Sequence, residues 1–171
     1  MDKLEKIMKL LEKIEKMSGR KYPRTNIPFD LNVYIEFVDI YESLSIEDRL
    51  FLKDLMSERV KSRIRRLGYL AVEKSIELKD PHLIRIGLIS YTFEDGIEYG
   101  GSYTILHNYC FAAKYLSVDI SEIIDSLGDL MSPNLERNLR DYSNANNRDS
   151  LEMFRLKIEY RDDGTVSLVA K

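Results

Sequence analysis

Apolar residues recur every three or four positions along most of the chain, a spacing typical of amphipathic α-helices. The first such run occupies residues 1–17, where lysines and glutamates fill the other positions. Its apolar residues alternate steps of three and four, as in a short heptad seam; they are Leu4, Ile7, Leu11 and Ile14. We expect this helix to pack on its own domain, or to bind a partner helix or a second copy of the chain through residues 4–14.

The same periodicity predicts a helix over residues 29–43 and another that begins at Ser45. Ser45 is followed three residues later by Asp48, which resembles a capping box: the hydroxyl accepts a free amide N–H, and the acid faces the positive end of the helix. Apolar residues then stay in helical phase as far as Leu78. This stretch is predicted to form one long helix, or two helices joined near Gly68.

Residues 83–93 are apolar on nearly every face of a helix, so we expect the most buried helix there. They follow Asp80 and Pro81, a pair typical of a helix start, and we expect the Asp95-Gly96 pair to end the helix. Further helices are predicted over residues 102–116 and from Asp119 to Leu130. A short helix is predicted to begin at Ser132-Pro133, and the asparagine-rich residues 143–150 are predicted to form a loop.

The last part of the chain changes to a period of two, which predicts a β-hairpin. A two-residue turn at Asp163-Gly164 would mix polar and apolar residues on each face. A three-residue loop over residues 162–164 instead sets Tyr160 against Val166 and Ile158 against Leu168. Burial therefore favours the second register, with Gly164 in a left-handed conformation.

These elements predict a mainly α-helical single domain over residues 1–171. It consists of an amphipathic N-terminal helix (1–18), a helical body (29–143) and a C-terminal hairpin (151–171). The architecture is either an irregular multi-helix bundle or a HEAT-like helical array.

Short, capped connections between the predicted helices resemble those of paired-helix, HEAT-like solenoids. The stretch from Asp80 to Met131, followed by the terminal hairpin, is similar to a group of uncharacterised bacterial helical proteins. This resemblance implies a fold and no activity, so it assigns no functional residues.

Composition narrows the classes of function. The apolar content of 44% is enough for a real core, and the net charge of −3 gives no global attraction to nucleic acid or to an anionic membrane. A single cysteine cannot form an internal disulfide, and neither a secretory signal nor a membrane span is present in the sequence pattern. We therefore expect a cytoplasmic protein that does not bind membranes.

An acidic, tyrosine-rich segment is the first candidate site. It comprises Glu94, Asp95, Glu98, Tyr99, Tyr103 and His107. Tyrosines bring large contact area at modest entropic cost, so this segment is predicted to bind a basic protein partner; the alternative is a solvated turn with half-buried tyrosines. The Gly100-Gly101 pair that follows the acids is only a weak indication of an anion-binding site, because no phosphate-loop or dinucleotide-binding pattern surrounds it.

His107 and Cys110 lie three residues apart on one predicted helix. They could share a metal ion or form a nucleophilic pair, and with Tyr103 they define a possible enzyme or small-ligand site. The competing interpretation is a buried cysteine beside a hydrogen-bonded histidine. We predict no cofactor, no metal and no catalytic residue, and more generally a protein that is not an enzyme.

Arginines form the strongest charge feature. Arg59, Arg63 and Arg66 fall on one helical stripe and are candidates for binding nucleic acid or an acidic partner. Their stems can equally cover apolar surface of the same domain. The leading functional prediction is therefore non-catalytic binding of a protein partner, as an adaptor or an immunity-type inhibitor that masks a toxin. Nucleic-acid binding through the arginine stripe is one alternative, and a small-ligand or enzyme site near Tyr103, His107 and Cys110 is the other.

Overall fold

The computed structural model describes residues 2–17, 28–93, 102–145 and 151–171, with the backbone only for residues 102–105 and 145. Within these ranges it contains eight α-helices and one two-stranded antiparallel sheet. The predicted fold class, mainly helical with a small C-terminal hairpin, is confirmed. The chain forms two compact units, Met1–Tyr69 and Leu70–Lys171, and the single domain stays a prediction.

The first unit is built from three helices and the beginning of a fourth: α1 (Lys3–Lys16), α2 (Leu31–Ser43), α3 (Ile46–Leu55) and α4 (Glu58–Leu78). Helices α1 and α2 pack against each other. The apolar face of α1 is buried, through Ile7, Leu10, Leu11 and Ile14. The predicted contact of residues 4–14 with a partner stays a prediction.

Three aromatic rings of α2 form a continuous stack in the core of this unit. Tyr34 lies 6.4 Å from Phe37, and Phe37 lies 5.9 Å from Tyr41, measured between ring centroids. All three side chains are buried, so aromatic rings make up much of the buried face of α2.

The prediction of a continuous helix, or of a joint near Gly68, is wrong. Helix α3 ends at Leu55, and Met56 takes an extended conformation. The Ser57 hydroxyl then accepts the Val60 N–H at 3.2 Å and caps the next helix, while Gly68 lies buried within α4. The break is set by this serine cap, because it satisfies an amide that a new helix leaves free.

The second unit contains the end of α4, four further helices and the sheet. Its elements are α5 (His82–Ile89), α6 (Ser102–Tyr115), α7 (Ile120–Leu127), α8 (Pro133–Ala145), β1 (Leu156–Tyr160) and β2 (Val166–Ala170).

Helix α5 is almost wholly buried, as predicted, and continues as a 3₁₀ turn over Ser90–Phe93. Helix α6 is equally central, because every side chain from Leu106 to Ala113 is buried. The Tyr109 hydroxyl donates a hydrogen bond of 2.9 Å to the Gly87 carbonyl and joins the two helices. The sequence pattern did not predict that α6 is buried continuously, because His107 and Asn108 are polar residues.

Capping residues begin the last two helices as predicted. The Asp119 carboxylate accepts the Ser121 N–H at 2.9 Å, and the Ser132 hydroxyl accepts the Leu135 N–H at 3.2 Å. Helix α8 runs to Ala145, so the prediction of a loop over residues 143–150 is wrong for residues 143–145. Residues 146–150 lie outside the described residues.

The hairpin has the register that burial favoured, with Tyr160 opposite Val166 and Ile158 opposite Leu168. Gly164 has a φ of 86°, the left-handed conformation expected at this turn. Leu168 is buried, whereas Tyr160 is exposed at the end of its strand. Across the described ranges, no helix has both the length and the apolar character that crossing a membrane requires.

Candidate functional site

Helix α3 exposes apolar residues that an amphipathic helix ordinarily buries. The helix begins where the Ser45 hydroxyl accepts the Asp48 N–H at 3.2 Å. Leu52 is its one buried residue. Six of the ten residues of the helix are exposed, so most of its surface is open to solvent.

The large apolar side chains on this open surface are all more than half exposed. The exposed fractions are 58% for Ile46, 58% for Leu50, 55% for Phe51 and 51% for Leu55. Single exposed apolar residues are common on protein surfaces, but a contiguous group of them marks an interaction site. We call this group, together with the exposed Glu47 and Asp54, the α3 face.

The α3 face consists of two rows in which residues are four positions apart. Residues at this spacing are neighbours on a helix surface and form a ridge along it. One ridge is Ile46–Leu50–Asp54 and the other is Glu47–Phe51–Leu55. Each ridge thus has an acid at one end, and Leu50 and Phe51 lie together at the centre.

The exposed charges of α3 are both acidic. Glu47 and Asp54 are exposed, whereas Asp48, Arg49 and Lys53 are half-buried. The surface that α3 offers to solvent is consequently apolar in the middle and negative towards both ends. It contains no exposed basic residue.

The predicted site around His107 and Cys110 lies in the second unit, on α6. His107 is buried between two rings, with centroid distances of 5.4 Å to Tyr142 and 5.2 Å to Phe154. Its Nε2 atom accepts the backbone N–H of Arg155 at 2.7 Å. Burial, followed by the positive charge of Arg155, lowers the pKa of His107. The lone pair that a general base or a metal ligand needs is therefore engaged by the backbone.

Cys110 is a poor nucleophile in this environment. The side chain is buried, and burial raises the pKa of the thiol to about 12, so the thiol is protonated at neutral pH. A surface pocket of about 470 Å³ adjoins it, lined among others by Lys114, Asp119, Asn144 and Phe154. Because the lining carries charges of both signs, it does not select a ligand of one charge.

Two members of the arginine stripe are engaged within the first unit. Arg63 donates from Nε to the Met17 carbonyl at 2.5 Å, and from Nη1 to the Arg59 carbonyl at 3.2 Å. The Arg66 guanidinium lies 5.4 Å from the centroid of the Phe29 ring. These contacts match the interpretation in which arginine stems cover the surface of their own domain, and nucleic-acid binding stays a prediction.

Most of the acidic, tyrosine-rich segment lies outside the described residues. This applies to Glu94, Asp95, Glu98 and Tyr99, and also to the side chain of Tyr103. His107 is the one member whose side chain is described. In the described part of the chain, no group of three His, Cys, Asp or Glu side chains is arranged to hold a metal ion.

Comparison with known proteins finds no matching family model, no matching curated protein and no matching solved structure. The resemblance to HEAT-like arrays therefore stays a prediction.

The sequence pattern did not indicate the α3 face, because the apolar residues of 45–78 follow one helical phase. That phase predicts Leu55 in the core, whereas Leu55 is exposed. The signal was nevertheless present: Leu50, Phe51 and Leu52 are consecutive, and three consecutive residues cannot share one face of a helix. With Leu52 buried, the two residues that precede it are exposed to solvent.

Proposed function

We propose that this protein is a non-catalytic protein-binding module, an adaptor or an immunity-type inhibitor, and that the α3 face is its contact surface. The observation that carries the proposal is the exposure of Ile46, Leu50, Phe51 and Leu55 on a helix that buries Leu52 alone. Leaving this much apolar surface in water is unfavourable, and a protein partner removes it from water.

The size of the face indicates how it works. Full burial of one such side chain contributes about 1.5–3 kcal/mol, so covering these half-exposed ones contributes about 1 kcal/mol each and about 4 kcal/mol in all. Association itself costs at least about 4 kcal/mol in lost freedom of motion. The face therefore offsets the cost of association, and the apolar side chains that the partner buries in return supply the net affinity.

Leu50 and Phe51 occupy the centre of the face, where binding energy is usually concentrated. Replacing both by serine removes about 2 kcal/mol of apolar burial and weakens binding by roughly 30-fold. Because neither side chain is buried, we expect the double variant to fold like the natural protein. The variant therefore separates loss of binding from loss of folding.

A photo-reactive benzoyl-phenylalanine at position 51 tests the proposal in cells, since it reacts only with groups in direct contact. The matched control carries the same group at Tyr160, an exposed aromatic residue outside α3. We expect position 51 to give an adduct with one defined protein, identified by mass spectrometry, that position 160 does not give. The protein identified in the adduct is then purified and its affinity is measured. We expect it to bind the natural protein and the position-160 variant equally, and the Leu50→Ser/Phe51→Ser variant roughly 30-fold more weakly.

Two results count against the proposal. The first is that position 51 gives no adduct, or gives the same adducts as position 160. The second is that the captured protein binds the double serine variant as tightly as it binds the natural protein.

A further inference from the structure

We propose that the partner presents a basic amphipathic helix to the α3 face, with lysine or arginine side chains about one helical turn on either side of its apolar anchor residues. This inference rests on the proposed function, because it names the partner chemistry for the same surface. It is carried by the arrangement of the two ridges and by the position of the acids on them.

The ridges favour a helix as the docked element. Residues spaced by four form ridges with a groove between them, and a second helix packs by laying its own ridge in that groove. The exposed face spans Ile46 to Leu55, which corresponds to about 15 Å of helix axis. This length accommodates about three turns of a partner helix.

The acids select the charge of the partner. Glu47 and Asp54 are exposed at opposite ends of the face, and none of the exposed residues of α3 is basic. They lie about 10 Å apart along the helix axis, with Leu50 and Phe51 between them. A helix with apolar anchors at its centre and cations a turn away on each side matches this order of groups.

A second copy of the chain fits less well than a basic partner. Symmetric antiparallel pairing of two α3 helices places Leu50 against Phe51, but it also places Glu47 of each copy against Asp54 of the other. The two like-charge contacts disfavour the pair.

The test uses two synthetic helical peptides that share one leucine stripe. One carries lysines a turn away on either side of the stripe, and the other carries glutamates at the same positions. Binding of each labelled peptide to the full chain is measured by fluorescence anisotropy at low and high salt. We expect the lysine peptide to bind roughly five- to tenfold tighter, because each exposed ion pair changes the affinity by a few-fold and two pairs form.

Charge reversal identifies the groups responsible. We expect the Glu47→Lys/Asp54→Lys variant to bind the glutamate peptide more tightly than the lysine peptide. High salt is expected to reduce the difference in affinity for both the natural protein and this variant. The matched control, Glu152→Lys, reverses an exposed acid outside α3 and leaves the preference unchanged. Sedimentation measurements on the free chain report whether a second copy occupies the face.

Several outcomes overturn the inference. Equal affinity of the chain for the two peptides contradicts the inference, and so does the absence of binding by either peptide. So does a preference for the lysine peptide that persists in the Glu47→Lys/Asp54→Lys variant. A dimer of the free chain that the Leu50→Ser/Phe51→Ser substitutions abolish also contradicts it. Each of these leaves the cross-linking test at position 51 to decide the proposed function separately.

Discussion

Neutral His107 holds the start of the hairpin to α6, so we predict that acidification weakens the fold at this point. The Nε2 atom accepts the Arg155 N–H at 2.7 Å, and it can do so only while it carries no proton. Protonation turns the acceptor into a donor facing another donor, and it places a second positive charge near Arg155. The groups that pack against the ring, Tyr142 and Phe154, offer no compensating negative charge.

The sign of the effect follows from the direction of the pKa shift. Burial and the Arg155 charge lower the pKa of His107 below its ordinary value of 6.5. The unfolded chain then binds a proton below pH 6.5 that the folded chain binds only at a lower pH. The stability that neutral His107 contributes is therefore complete above pH 6.5, falls as the pH drops below this value, and stops falling at the lowered pKa.

The magnitude follows from the contact that is lost. One hydrogen bond of this kind contributes about 1 kcal/mol net, which corresponds to a change in Tm of about 2–4 °C for a chain of this size. Urea unfolding followed by circular dichroism, from about pH 7.5 to about pH 5, measures the effect while the carboxylates stay ionised. His107→Gln removes the titrating group, and His82→Gln controls for removal of a histidine as such.

We expect the free energy of unfolding of the natural protein and of the His82→Gln variant to fall on acidification, and that of the His107→Gln variant to fall less. Parallel curves for the natural protein and the His107→Gln variant would refute this reasoning. So would a natural protein that becomes more stable as the pH drops.

Two further predictions concern the buried thiol and the residues that cap helices. Because burial raises the pKa of Cys110 to about 12, a thiol reagent is expected to modify the folded chain far more slowly than the urea-unfolded chain at neutral pH; equal rates would show that the thiol is accessible. Ser57→Ala removes the hydroxyl that caps α4 and is expected to lower the free energy of unfolding by about 1 kcal/mol in urea titrations, as is Ser45→Ala at the start of α3. A Ser57→Ala variant as stable as the natural protein would mean that the cap does not set the break.

The helical character and the hairpin register were predictable because both depend on local periodicity. A period of two together with a glycine that can take a positive φ left one register in which Ile158 and Leu168 share a face, and the structure has that register. Helix starts at Ser45, Asp119 and Ser132 were likewise predictable, because each side chain satisfies an amide N–H two or three residues away.

The break after Leu55 was not predictable by the same means. Apolar residues on both sides of it keep nearly the same helical phase, so periodicity alone does not register the interruption. Ser57 is a weak signal within a sequence of good helix formers, and its role depends on Met56 adopting an extended conformation. The prediction failed here because one local capping contact outweighed the propensity of the surrounding residues.

The sequence by itself determined which segments of this protein are helical, where most of them begin, and how the hairpin pairs, because those features depend on residues close together in the chain. Only the tertiary structure decided which apolar residues are covered. Leu52 and Leu55 belong to the same helix and are both leucine, yet Leu52 is buried and Leu55 is exposed. Burial depends on what packs against a face, and in α3 that left Leu50 and Phe51 facing solvent.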